Sequence, residues 1–66
     1  MNLTVNGTLQ TLPERTTLAE LMERENAASR GSAAAVDGVV VPRGSWDAFV
    51  LADGSSVEVL TAVQGG

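Results

Sequence analysis

The sequence predicts an α+β domain in which one helix lies across a sheet of short strands. Three observations carry this expectation. Short strand-like segments are punctuated by Asn6-Gly7, Asp37-Gly38 and Asp53-Gly54, dipeptides that accept the positive φ angles of tight turns. A single helical pattern opens at Thr17 and occupies the interval between the first two strands and the rest. A hairpin, a helix and a return strand each have one apolar side, and they bury it together when the helix crosses one face of the sheet.

Residues 1–12 read as the first hairpin. Met1, Leu3 and Val5 alternate with Asn2, Thr4 and Asn6, the period-2 pattern of a half-buried strand. Asn6-Gly7 follows at once and supplies the turn. Residues 8–12 are the return strand. Leu9 and Leu12 have opposite parity, so the pattern leaves its facing open. Pro13 cannot donate to a ladder and ends the strand.

Thr17-Leu18-Ala19-Glu20 is a capping box. The hydroxyl is placed to accept the Glu20 amide, and the carboxylate to accept the Thr17 amide. Leu18, Leu21 and Met22 fall at i, i+3 and i+4, which makes one apolar stripe for the core. Glu20, Glu23 and Arg24 face away, and Glu20 with Arg24 is a favourable i, i+4 pair. The helix is expected to fade between Glu25 and Ala28, with a loop over residues 27–32.

Residues 33–36 are small and apolar, which suits a crowded central strand. Asp37-Gly38 turns the chain into Val39, Val40 and Val41, a β-branched strand that Pro42 terminates. Arg43-Gly44-Ser45-Trp46 reads as a loop leading into a single turn. Trp46 and Phe49 are the aromatics of the chain and are expected to plug the core. After Asp53-Gly54, residues 56–62 form the last strand. Val57 and Val59 point to one face, Glu58 and Leu60 to the other. The element order is therefore β-β-α-β-β-β. The first hairpin and the last strand are expected to be neighbours. Residues 1–62 make one domain, and Val63-Gln64-Gly65-Gly66 is expected to project from it as a flexible tail.

Composition narrows the function. Sixty-six residues with 44% apolar side chains are enough for one small core. Eight acids oppose four arginines, there is no lysine, and the net charge is -4. That balance argues against nucleic acid and anionic lipid as partners and favours a protein with a basic face. There is neither cysteine nor histidine, which removes most zinc and redox chemistry and predicts a cytoplasmic setting. No basic-then-apolar start marks a signal peptide, and no apolar run is long enough to span a bilayer. The chain has no thiol and no side-chain amine. The covalent handle left is the carboxylate of Gly66. Gly65 and Gly66 carry no side chains, so the end can enter a narrow channel and approach a partner closely. Leu60, with Glu58 beside it on the same face, is a candidate partner contact, although a single exposed leucine is ordinary.

Several of these stretches together resemble the ThiS family of thiamine-biosynthesis sulfur carriers. They are Val41-Pro42-Arg43 with Trp46, Asp53-Gly54 with Val57-Glu58-Val59-Leu60, and Thr61-Ala62-Val63-Gln64-Gly65-Gly66. The resemblance runs the full length. One departure is Ser55, where many members carry an acid, which bears on the electrostatics of a partner interface. The resemblance implies the ubiquitin-like β-grasp fold, a mixed sheet of four to five strands in the order 2-1-5-3-4 with one helix across it. It also implies a cosubstrate rather than a catalyst, with no bound cofactor. Gly66 would be adenylated by an ATP-dependent enzyme of the ThiF kind, then converted to a thiocarboxylate by a sulfur donor system. The sulfur would pass to thiazole synthase of the ThiG kind. Beside a bare β-grasp binding module whose tail is incidental, two alternatives stay open at the level of sequence. One is a sulfur carrier for molybdopterin or an amino-acid route. The other is a ubiquitin-like protein modifier, against which stand the uncharged Ala62-Val63-Gln64 and the missing lysines.

Overall fold

Two-residue turns settle most of the architecture. In a computed structural model, which describes residues 1–28 and 31–61, Asn6 and Gly7 have φ of 50° and 82°, and Asp37 and Gly38 have 49° and 83°. Positive φ at both central residues is the type I′ pattern, whose twist matches that of flanking strands. Each such turn fixes the register of its hairpin. The first joins β1 (Asn2–Val5) to β2 (Thr8–Thr11), with Val5 opposite Thr8. The second joins β3 (Ala33–Val36) to β4 (Val39–Val41), with Val36 opposite Val39.

This register resolves the ambiguity of the return strand. Val5 points inward, so Thr8, Gln10 and Leu12 share its side and Leu9 is on the other. Leu12 is buried and Leu9 is 68% exposed. The strand itself ends at Thr11, one residue earlier than expected. Leu12 still donates its amide to the Met1 carbonyl at 2.8 Å, but Pro13 has no amide to carry the ladder further.

The helix α1 (Leu18–Arg24) begins with the expected capping box. Thr17 Oγ1 accepts the Glu20 amide at 3.2 Å, and Glu20 Oε1 accepts the Thr17 amide at 2.9 Å. Such a cap contributes about 1 kcal/mol. It also engages the Glu20 carboxylate, and among the described residues no ion pair joins Glu20 to Arg24. The helix ends in a Schellman motif that the sequence pattern did not reveal. Asn26 takes φ of 57°, its amide donates to the Glu23 carbonyl at 3.1 Å, and the Ala27 amide donates to Met22 at 2.7 Å. Ala27 is then fully buried beside the last turn.

β4 leads through Pro42 into a 3₁₀ helix, Arg43–Ala48. Trp46 enters the core, where its indole Nε1 donates to the Val41 carbonyl at 2.9 Å. Arg43 stacks 4.7 Å above its ring and reaches the Ala28 carbonyl at 2.6 Å. Phe49 is half-buried at the core edge, so of the two aromatics Trp46 fills the interior. The next stretch secures the helix start. Leu18 donates to the Phe49 carbonyl at 2.8 Å, and Leu51 to the Thr16 carbonyl at 2.9 Å. Leu51 is buried, a core role that its isolated position in the sequence did not signal.

The last strand, β5 (Ser56–Leu60), is shorter than expected: Thr61 lies outside it, and Ala62 falls outside the described residues. β5 inserts between the two hairpins, parallel to β1 and antiparallel to β3. The five strands run in the order β2-β1-β5-β3-β4, as the family resemblance implies. The inner face presents Leu3, Val5, Ala34, Val36, Val41, Val57 and Val59 to Leu18, Leu21 and Met22 of the helix. Each fully buried large side chain there contributes about 1.5–3 kcal/mol. The boundary expected between domain and tail, at residues 62 and 63, lies outside the described residues.

Candidate functional site

The helix covers one face of the sheet, and the other face is open. Alternation along each strand decides what this open face displays. On β5 it shows Ser56, Glu58 and Leu60; on β3, Ala33 and Ala35; on β4, Val40. Register then groups them. Ala33 lies opposite Leu60, Ala35 opposite Glu58, and Val40 opposite Ala35. Leu60 and Val40 are 68% and 70% exposed. The two alanines leave a shallow floor between these larger side chains, with Glu58 as the charge beside them. On the far side, Thr4 separates Leu9 from the centre, because Leu9 pairs with Thr4 on β1. Apolar side chains clustered on one surface are the usual mark of a docking face.

Both expected contact residues, Leu60 and Glu58, are therefore exposed on this face, opposite the buried Val57 and Val59. Val40 belongs with them and was hidden in the sequence. A run of three valines has no alternation to show which one faces out. The signal was the two-residue Asp37-Gly38 turn, which pairs Val36 with Val39 and so sets Val40 on the side of Ala35. Ser55 behaves otherwise than expected. It is 6% exposed, with its carbonyl accepting the Thr4 amide at 3.0 Å. A side chain so buried has little part in surface electrostatics.

The expected covalent site follows β5 in the sequence. β5 is the middle strand, and the chain runs from Leu60 through Thr61 towards Val63, Gln64, Gly65 and Gly66. Those last four residues lie outside the described residues. Among the described residues, no group of acidic side chains is arranged to hold a metal ion, and no helix is long and apolar enough to cross a membrane.

Three comparisons bear on this arrangement. The sequence model of the ThiS family matches residues 3–66. The crystal structure of a thiamine biosynthesis protein, ThiS, from Geobacter metallireducens superposes with a TM-score of 0.81. It is 35% identical, and the match covers 100% of both chains. A solution structure of a thiamine biosynthesis protein from the same organism gives a TM-score of 0.80 at 34% identity, covering 100% of this chain and 88% of that one. No curated protein matches the sequence.

Sheet order, single helix and structural match define a small ubiquitin-like β-grasp domain. With the family match spanning nearly the whole sequence, the chain belongs to the ThiS family, the sulfur carriers of thiamine biosynthesis.

Proposed function

We propose that the chain is a protein cosubstrate whose Gly66 carboxylate carries sulfur for thiazole formation. The observation that supports this most directly is the family match, which runs through Gly66 itself. The chemistry is what the family resemblance implies. A carboxylate is a poor electrophile, so it must be activated. In the first step a Gly66 oxygen attacks the α-phosphorus of ATP on an adenylyltransferase of the ThiF kind. The α–β phosphoanhydride breaks, and pyrophosphate leaves. In the second step a sulfide equivalent from a sulfur donor system attacks the acyl carbon. The bond to AMP breaks, and a thiocarboxylate forms. Thiazole synthase of the ThiG kind accepts the sulfur, and an oxygen takes its place on Gly66. The carrier supplies no acid, base or nucleophile beyond its own end. ATP belongs to the activating enzyme, and a cytoplasmic setting goes with this sequence of reactions.

Intact mass tests the assignment. After incubation with ATP, a ThiF-type enzyme and a sulfide source, the chain is expected to gain the mass of one oxygen-to-sulfur exchange, localised by fragmentation to Gly66. An unchanged mass beside a control carrier that is converted would overturn it.

The open sheet face is the docking surface in this reading. Leu60 is central because it is the last residue of β5 and is exposed on this face. Leu60→Asp places a second charge near Glu58 and removes an apolar anchor. Binding to the activating enzyme is expected to weaken about tenfold or more, the effect of losing one well-packed interface side chain. Titration calorimetry reads this directly, while an unchanged thermal midpoint shows that the variant is folded. Unchanged affinity would move the docking surface elsewhere.

A further inference from the structure

The end of β5 is held unequally on its two sides. Towards β3 the pairing continues to the last residue, with Ala34 opposite Val59 and Ala33 opposite Leu60. Towards β1 the strand pairing stops at Val5 and Val57, because the chain turns away at Asn6 with φ of 50°. The register of β1 and β5 would place Asn6 opposite Glu58. In a parallel ladder such a residue donates its amide to one neighbour and accepts the amide two residues further on. The first bond is made: the Asn6 amide donates to the Val57 carbonyl at 2.8 Å. The second is made by the side chain. The Val59 amide donates to Asn6 Oδ1 at 2.8 Å, and Asn6 Nδ2 donates to the Val59 carbonyl at 3.2 Å.

The Asn6 carboxamide thus stands in for a peptide group and adds a rung that the turning backbone cannot supply. A carboxamide has the same donor and acceptor pair as a peptide unit, and asparagine also tolerates the left-handed φ of the turn. Glycine at this position would satisfy the turn and leave the rung unmade. Aspartate would accept the Val59 amide but would set a carboxylate against the Val59 carbonyl.

We propose that Asn6 is a positioning residue for the carrier's C-terminal chemistry. By clamping both backbone groups of Val59, it fixes the direction in which β5 ends and Thr61 departs, and with it the presentation of Leu60. This rests on the reading of Gly66 as the reactive end, but the clamp itself is measurable without it.

The test uses the full chain and three substitutions. Asn6→Gly keeps the turn and removes the clamp. Asn6→Asp keeps only the acceptor. Thr17→Ala loosens the helix cap, away from β5, and controls for a general loss of stability. In amide exchange, Asn6→Gly is expected to speed exchange at Val59 about tenfold relative to the other β5 amides, as expected for losing hydrogen bonds of ordinary strength. In steady-state activation with a ThiF-type enzyme and ATP, followed by pyrophosphate release, its kcat/KM is expected to fall about tenfold. Asn6→Asp falls between, and Thr17→Ala matches the unsubstituted chain at a temperature where all are folded. Unchanged kcat/KM for Asn6→Gly, or an equal loss for Thr17→Ala, overturns the positioning role. If the unsubstituted chain itself releases no pyrophosphate while a control carrier does, the carrier assignment fails instead, and the exchange result still decides whether the clamp exists.

Discussion

Deletion of Gly65 and Gly66 is expected to abolish thiocarboxylate formation while leaving the fold unchanged. The expected shift in thermal midpoint is no more than about 1 °C. The buried cluster that holds the domain together runs from Leu3 to Val59, so both glycines are remote from it in the sequence. The chemical loss is complete because the new end is Gln64. Its side chain adds bulk where an activating site must admit the chain end to within bonding distance of a phosphorus atom. The end is also two residues shorter, and each residue spans at most about 3.6 Å of extended chain. Intact mass after incubation with ATP, enzyme and sulfide measures the first expectation, and calorimetry the second. Conversion of the shortened chain at an undiminished rate would remove Gly66 from the mechanism.

The largest expected effect on stability is at Trp46. The residue is 4% exposed, and its indole N–H donates to the Val41 carbonyl within the core. Trp46→Ala is expected to cost about 3–5 kcal/mol, as for other large aromatic side chains cut back to a methyl group. A domain of this size has roughly 3–10 kcal/mol in total, so the substitution removes a large share and can unfold it. Trp46→Phe refills most of the volume but leaves the Val41 carbonyl without its partner. It is expected to cost less, about 1–3 kcal/mol. Urea denaturation followed by far-ultraviolet circular dichroism ranks the two, since both variants lack the single tryptophan as a fluorescent reporter. A Trp46→Ala loss below about 1 kcal/mol would mean that the site collapses around the gap.

Residues interacting within about four positions of one another were legible in the sequence. The Thr17 capping box, the Leu18, Leu21 and Met22 stripe, and the Asn6-Gly7 and Asp37-Gly38 turns are all encoded by neighbours. Alternation likewise placed Val57 and Val59 inside and Glu58 and Leu60 outside. What escaped were contacts across the fold. Leu51 has no periodic partner, yet it is buried and its amide donates to the Thr16 carbonyl far away in the sequence. Val40 sits in a uniform apolar run. Asn6 reads as a turn residue, and nothing local reveals that its carboxamide meets Val59. The site was legible in part. Leu60 and Glu58 showed by alternation that they face away from the core, while Gly66 lies outside the described residues and its sulfur chemistry is what the family resemblance implies.

By itself, then, the sequence determined the helix, the two hairpin turns and the facing of β1 and β5, because backbone preference and side-chain alternation act over short distances. Only the tertiary structure decided that β5 lies between β1 and β3, that Leu60, Ala33, Ala35 and Val40 share one open face, and that Asn6 closes on Val59. Those facts depend on pairing residues far apart in the chain. Such pairing is fixed when the apolar faces of sheet and helix are buried together, a condition met by the whole domain and by no single segment.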